Sequence, residues 1–221
     1  ACNLLIPLLN NSKIKICGIK KIETLKCCIQ NNINYFGLIF YKKSPRYVSY
    51  ENALDLINYS KNKKIASVGV FVNENIEYLN KILKKLNFNF IQLHGEENNQ
   101  YIKDIKKNSN IKIIKVISVS TLADFKKIIE YPNSDLFLFD YKPSEKELPG
   151  GNAKKFNWSL LKGIKIEKPW FLSGGININN INDIKNYAIP YGIDVSSGVE
   201  EKLGIKNNKK IVSLVNAYGS K

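Results

Sequence analysis

The chain has 221 residues, 44% of them hydrophobic, which suits one large domain, and no run approaches the roughly 20 apolar residues that a membrane-spanning helix needs. Its formal net charge is +15, but the lysines are scattered along the whole sequence, which favours a solvated surface over a nucleic-acid footprint. One histidine and four cysteines without a C-x-x-C pair argue against a zinc site and fit a reducing cytoplasm.

Residues 1–12 precede the first predicted element. Pro7 interrupts their apolar run and no basic residue comes before it, so we expect a short N-terminal extension and not a secretory signal. From residue 13 onward, no change in composition marks a linker. We therefore predict one catalytic domain over residues 13–221.

Eight strand-like runs alternate with eight segments of helical length along this domain. The strand-like runs are 13–17, 35–40, 65–72, 88–94, 111–117, 135–140, 168–173 and 191–196. The helical segments are 22–31, 52–60, 76–86, 98–107, 122–130, 155–161, 177–187 and 207–218. Such alternation indicates parallel strands joined by crossovers, and eight units favour a closed (β/α)8 barrel of the α/β class. A doubly wound sheet is the structural alternative.

Reactive side chains of such a barrel lie where the strands end. Cys17, His94 and Asp140 each end a predicted strand, and Arg46, the chain's one arginine, lies in the second βα loop. A guanidinium can hold a carboxylate or phosphate with two parallel hydrogen bonds, which an ammonium cannot do. A lone arginine is also compatible with a solvated surface group. The long loop 141–153 is expected to cover the site as a lid or wall.

Two of the strand ends suggest acid–base chemistry. Asp140 closes an apolar strand, where partial burial would raise its pKa and suit it to donate a proton. Cys17 could act as a base if positive neighbours ionise it; otherwise it is a buried core thiol. For Asp140, the alternative is a carboxylate that caps the following loop.

The last two units contain glycine-rich turns of the kind that bind phosphate. Their sequences are Ser173-Gly174-Gly175 and Ser196-Ser197-Gly198, and both precede a predicted helix. Backbone N–H groups in such turns can approach a phosphate, with a helix N-terminus behind them. Asp194, inside the eighth strand, is expected either to contact the substrate or to fix the phosphate loop. His94 could position a hydroxyl or an aromatic ring.

Seven segments together are typical of one family and follow one another in its order from residue 13 to the C-terminus. They are KICGI (15–19), GLIF with SPRY (37–40, 44–47), VGVFVN (68–73), QLHGE (92–96), PGG with FNW (149–151, 156–158), LSGG (172–175) and DVSSGVE (194–200). By these residues the chain resembles the phosphoribosylanthranilate isomerases of tryptophan biosynthesis.

The resemblance implies an Amadori rearrangement without a cofactor or metal. N-(5′-phosphoribosyl)anthranilate would become 1-(2-carboxyphenylamino)-1-deoxyribulose 5-phosphate. By the family pattern, Asp140 is the general acid, Cys17 is the general base and Arg46 contacts the anthranilate carboxylate. The phosphate would lie at the glycine turns. Ala153 departs from the pattern, because glycine is common at this position, and it could restrict how the loop closes.

Other functions remain open at this point. One alternative is another phosphate-binding barrel isomerase of sugar metabolism, although those of the histidine pathway resemble this chain less, since they use paired aspartates. A second is a non-catalytic barrel that binds RNA or other anions. We expect a cytoplasmic monomer or homodimer that takes a phosphorylated small molecule and binds neither nucleic acid nor membrane.

Overall fold

The structure, a computed structural model, describes residues 12–144, 147, 149–151 and 153–219. Eight parallel strands pair in chain order, and the eighth pairs with the first, which closes the barrel. They are β1 (Lys13–Cys17), β2 (Tyr35–Ile39), β3 (Ala66–Phe71), β4 (Phe90–Leu93), β5 (Lys112–Val119), β6 (Leu136–Tyr141), β7 (Trp170–Leu172) and β8 (Gly192–Val195). The predicted barrel is confirmed, and closure excludes the doubly wound sheet, which has two free edges. Residues 1–11 of the predicted extension lie outside the described residues.

Helices surround the barrel, although several predicted helices have a tighter form. The α-helices are α1 (Ile22–Gln30), α2 (Tyr50–Ser60), α3 (Ile76–Lys85), α4 (Asn99–Asn108) and α5 (Asn208–Gly219). Leu122–Glu130, Trp158–Leu161 and Ile181–Asn186, where longer or α-type helices were predicted, are 3₁₀-helices. Apolar spacing locates a helical connection but does not separate these two closely related forms. No described helix has the length and apolar character needed to cross a membrane.

A short antiparallel hairpin between β8 and α5 was not predicted. Its strands are β9 (Glu200–Lys202) and β10 (Ile205–Lys206), and they follow a 3₁₀ turn at Ser197–Val199. The hairpin fills the stretch between the second glycine turn and the last helix, which was predicted over 207–218 and spans Asn208–Gly219. The hairpin matters for the site because two of its residues reach the carboxyl end of the barrel.

The core has two layers separated by the barrel wall. Alternate residues of each strand point inward or toward the helices. The inner layer is formed by Cys17, Tyr35, Val68, Val70, Ile114, Val116, Leu136, Leu138 and Phe171. At the amino end, the Tyr35 ring packs edge-on against Phe90 and Phe171, and its hydroxyl lies 2.8 Å from that of Tyr191. These aromatic rings fill the amino end, so the polar carboxyl end is left for a site.

Candidate active site

Two adjoining cavities open at the carboxyl end of the barrel. The larger, about 480 Å³, is lined by Cys17, Arg46 and His94, and the smaller, about 330 Å³, by Gly174, Gly175 and Ser197. The wall between them is shared by Asp140, Gly150, Gly151, Ser173, Asp194 and Ser196. Nine of the ten residues that the sequence singled out therefore lie around one site. The tenth, Gly198, lines neither cavity.

Cys17 ends β1 and points into the barrel, where it is 5% exposed. Gly37 on β2 provides the space for it, because an added Cβ there would lie 2.7 Å from the Cys17 Sγ atom. Burial and the Asp194 carboxylate raise the pKa of the Cys17 thiol, and the ammonium groups of Lys15 and Lys206 offset this rise only in part. The thiol therefore has the positive neighbours that a base would need.

Lys15 is fully buried inside the barrel and was not singled out from the sequence. It lies two residues before Cys17 on the same inward face, and its Nζ atom is 2.9 Å from Asp194 Oδ1 on β8. Burial opposes the charged ammonium, but Asp194 and Cys17 raise the pKa of Lys15 overall. An alternating Lys-Ile-Lys-Ile run usually places its lysines in water, yet both faces of a barrel strand are covered.

Asp140 ends the apolar part of β6 and is 4% exposed. Its Oδ1 atom accepts a hydrogen bond from the Tyr141 backbone N–H at 2.8 Å, and its Oδ2 atom lies 3.4 Å from His94 Nε2. Gln92 Nε2 lies 3.1 Å from His94 Nδ1. Nε2 is therefore the ring nitrogen that faces the Asp140 carboxyl group. His94 is thus a neighbour of the candidate acid.

Arg46 is buried and already paired. Its Nε and Nη2 atoms donate to the two carboxylate oxygens of Glu200 at 2.7 and 2.9 Å, and Nη2 also lies 3.3 Å from the Gly151 carbonyl oxygen. Lys206 donates to the same carboxylate at 2.7 Å. Burial alone would raise the pKa of Glu200, but these cations hold it at about 2. This burial excludes a solvated arginine. The two parallel hydrogen bonds that the sequence predicted toward a ligand go instead to the Glu200 carboxylate on β9.

The second glycine turn touches the first. An added Cβ at Gly198 would collide with the carbonyl oxygen of Ile176, which follows the first turn, so Gly198 brings the two loops together and does not face a cavity. Gly174 and Gly175 have φ angles of 89° and 64°, the left-handed region that favours glycine. Lys154, which the sequence did not indicate, lines the smaller cavity beside them.

The loop after β6 forms a wall of the larger cavity. Pro149, Gly150 and Gly151 line it, while positions 145, 146, 148 and 152 lie outside the described residues. An added Cβ at Gly150 would lie 2.7 Å from His94 Cε1, so the loop backbone rests directly on that ring. Ala153 has a φ angle of 57°, a conformation that is strained for alanine and easy for glycine.

The described residues around the two cavities do not form a set of metal ligands. Across residues 12–144, 147, 149–151 and 153–219, no group of three His, Cys, Asp or Glu side chains is placed to hold a metal ion. What the site offers is a thiol, a carboxylate next to an imidazole, and buried cations. These groups can exchange protons with a ligand that reaches both cavities.

Comparison with known proteins identifies related chains. Residues 14–217 match the family model described as N-(5′-phosphoribosyl)anthranilate (PRA) isomerase. Proteins named N-(5′-phosphoribosyl)anthranilate isomerase are 39% identical in Thermoanaerobacter sp. (strain X514), covering 92% of this chain and 96% of that protein, and 35% identical in Paramagnetospirillum magneticum, covering 93% and 96%.

Solved structures give the same result. The phosphoribosyl anthranilate isomerase of Thermotoga maritima superposes with a TM-score of 0.85 at 31% identity, covering 95% of this chain and all of that one. A second structure of a phosphoribosyl anthranilate isomerase is a complex with reduced 1-(o-carboxyphenylamino)-1-deoxyribulose 5-phosphate. It has a TM-score of 0.80 at 29% identity, with coverage of 95% and 100%.

Proposed function

The chain belongs to the N-(5′-phosphoribosyl)anthranilate isomerase family, and on that premise we propose which of its residues carry the reaction. It is an isomerase of tryptophan biosynthesis that catalyses an Amadori rearrangement. The substrate, N-(5′-phosphoribosyl)anthranilate, becomes 1-(2-carboxyphenylamino)-1-deoxyribulose 5-phosphate. The substrate carries a phosphate at one end and a carboxylate at the other, so a site for it needs two anion-binding regions with acid–base groups between them.

The position of Asp140 on the wall between the two cavities is the observation that carries the assignment. The phosphate is assigned to the smaller cavity, at the Gly174-Gly175 turn and Ser197, and the anthranilate to the larger one. The ribose then lies across the wall, within reach of Asp140 on one side and Cys17 on the other. Asp194 and Ser196, which border both cavities, are assigned to the sugar.

Arg46 is assigned to the anthranilate carboxylate, but in a different way from that inferred from the sequence. Because Glu200 occupies its Nε–Nη2 edge, the Nη1 group is the part left for a ligand. Gly151 lies directly over Nη1, where any larger side chain would collide with it. Support for the role is thus that Arg46 lines the larger cavity while Glu200 holds its guanidinium in place.

The proton transfers can be written with these groups alone. Protonated Asp140 gives its proton to the ribose ring oxygen while the anilino nitrogen opens the ring to a Schiff base. The Cys17 thiolate then removes the C2′ proton, and the resulting enolamine tautomerises to the ketone. The ring oxygen and C1′ each gain a proton, while C2′ and the 2′-hydroxyl each lose one. No redox partner enters, so this mechanism requires no cofactor.

His94 is assigned a contact with the substrate beside the acid. Its Nε2 atom lies 3.4 Å from Asp140 Oδ2, a separation that tightens easily when a ligand closes the site. A hydrogen bond from Nε2 would hold the carboxylate facing the ring oxygen after the proton has left. The imidazole ring also borders the larger cavity, where it can contact the aromatic part of the ligand.

The activity is tested by following the fluorescence of phosphoribosylanthranilate as the purified protein consumes it. We expect enzyme-dependent loss of the substrate signal without any added metal or cofactor. A second assay measures binding to single-stranded RNA at several salt concentrations, which would detect the nucleic-acid affinity that a +15 chain could have. Tight, salt-dependent RNA binding with no turnover would contradict the assignment.

We further propose a reducing, cytoplasmic setting and a monomeric or homodimeric state. The thiols of Cys17, Cys27 and Cys28 are all free, and the proposed base must stay reduced to work. A solved relative from Thermotoga maritima is described as dimeric, with monomers generated from it. Cell fractionation and size-exclusion chromatography with light scattering test these two assignments.

A further inference from the structure

Lys15 is the buried charged residue of β1, and the proton-transfer steps leave it without a task. It is 0% exposed, and its position inside the barrel is fixed by the ion pair with Asp194 at 2.9 Å. Removing a charged ammonium from water is costly unless something is gained from it. An ion pair alone is a weak explanation, because an apolar pair of similar volume is often as stable in such a place.

The geometry next to Lys15 offers that explanation. Cys17 lies two residues further along the same strand, so both side chains project from the same face into the barrel. Both side chains are buried, and the charge of the Lys15 ammonium favours the thiolate form of Cys17 by lowering its pKa. The charged groups that act on Cys17 are Lys15 on β1, Asp194 on β8 and Lys206 on β10. Further ionisable groups line the same cavity: Arg46, His94 and Asp140.

We propose that Lys15 is a positioning residue for Cys17: its ammonium stabilises the thiolate from inside the barrel, against the opposing effects of burial and of a doubly charged phosphate ester. This inference rests on the proposed role of Cys17 as the base. The negative charges of the substrate disfavour the Cys17 thiolate beside them, and burial also disfavours the charged form of the thiol. Lys206 contributes less directly, because its three hydrogen bonds go to Glu200 Oε1 and to the carbonyl and hydroxyl oxygens of Ser196.

The proposal is tested by measuring how fast iodoacetamide alkylates Cys17 as a function of pH, without substrate, with mass spectrometry to separate this site from the other cysteines. Only the thiolate reacts, so the midpoint of the rate profile reports ionisation. Lys15→Met is expected to raise the midpoint by about 1–3 pH units, the size of effect that a neighbouring opposite charge has. At a fixed pH below the midpoint, this is about a 10- to 1000-fold slower reaction.

Lys115→Met is the matched control. Lys115 is also buried, 1% exposed, and pairs with Glu97 at 3.1 Å, but it lies on the helix-facing side of β5. Its loss should destabilise the fold in a similar way and leave the Cys17 midpoint unchanged. Equal midpoints in wild type and Lys15→Met, or equal shifts in both lysine variants, would overturn the proposal.

A second comparison covers the case in which Lys15→Met does not fold. Asp194→Asn leaves Lys15 as a buried cation, and Lys15→Met/Asp194→Asn removes both charges, so neither partner is left as an unpaired ion in the double variant. The double variant should have a midpoint at least about one unit above that of Asp194→Asn; coincident midpoints would refute the role. Because alkylation needs no turnover, an active Cys17→Ala enzyme would refute the proposed base while leaving this result intact.

Discussion

Arg46 is a buried side chain that also lines the larger cavity. Glu200 accepts two charge-assisted hydrogen bonds from it, and such bonds each contribute about 1.5–3 kcal/mol. Lys206 donates a further hydrogen bond to the same carboxylate, at Oε1. The guanidinium is therefore held in one orientation before a ligand arrives, which reduces the entropy that binding must overcome.

Arg46→Lys should raise KM by about tenfold or more and change kcat much less. Lysine keeps the charge but cannot bind Glu200 with two parallel hydrogen bonds while presenting a further N–H to the cavity. Steady-state kinetics with phosphoribosylanthranilate measure both constants. Lys43→Ala removes an exposed charge from the same loop and is the control. An unchanged KM in Arg46→Lys would exclude the role assigned to Arg46.

At the scale of elements, the backbone of the loop after β6 packs against the backbone of the glycine turn after β7. An added Cβ at Gly175 would lie 2.9 Å from the carbonyl carbon of Lys154. The glycine turn thus lines the smaller cavity and also allows the loop to pack on it. A change at this point should act on the site through the loop, even though no catalytic group is altered.

Gly175→Ala should lower kcat/KM and stability together, whereas Gly163→Ala should lower stability alone. Both glycines have positive φ angles, 64° and 78°, so alanine at either costs about 1–2 kcal/mol in backbone strain. A Cβ at Gly163 meets no atom within 4 Å, which makes it a control for strain without displacement. Urea unfolding and steady-state kinetics on both variants check this. Equal kcat/KM values would show that the loop contact is unimportant.

Most elements could be predicted from the sequence. The two layers of the core require apolar runs of strand length in the barrel and apolar residues at helical spacing around it, and both patterns are visible in the chain. The 3₁₀ geometry of Leu122–Glu130 could not, since its apolar spacing also fits an α-helix. The β9–β10 hairpin was missed because its strands are only three and two residues long and carry charged residues. Its role is visible only once Glu200 is placed beside Arg46.

At the scale of the whole molecule, carboxylates with low pKa values link stability to acidity. Asp124 is buried, which alone would raise its pKa, but backbone N–H groups of Ser120 and Thr121 hold it at about 2. Glu200 is likewise held at about 2. Both pKa values lie below the ordinary ones of 3.8 and 4.5, so their stabilising contribution is complete above about pH 4.5 and is lost as the pH falls toward 2.

Asp124→Asn should reduce the free energy of unfolding by about 1–2 kcal/mol near neutral pH and by progressively less toward pH 2. Asparagine keeps the shape of the side chain but loses the negative charge, which strengthens the hydrogen bonds from the Ser120 and Thr121 backbone N–H groups to Asp124 Oδ2. Urea unfolding over a pH series measures this difference. Asp104→Asn, at an exposed pair with Lys107, is the control and should change little. A pH-independent difference would argue against the linkage.

The sequence predicts which residues lie at the site when they stand at the end of a strand. It does not predict residues that act through a partner elsewhere in the barrel. Their positions at strand ends placed Cys17 and Asp140 at the carboxyl end of the barrel, and both line the larger cavity. Lys15 and Glu200 were missed, because their contacts with Asp194 and Arg46 join residues far apart in the chain. For Lys15 the separation from Asp194 is 179 positions. Only closure of the barrel reveals such pairs.

The most direct test of the account is kcat for Cys17→Ala and Asp140→Asn, with circular dichroism to show that both proteins fold. Each variant removes one proton-transfer group, so we expect a drop of about 10²–10⁴-fold or more. Cys28→Ala removes another buried thiol, on α1, and should keep nearly the wild-type rate. Near-wild-type turnover in either Cys17→Ala or Asp140→Asn would contradict the assignment of the acid and base.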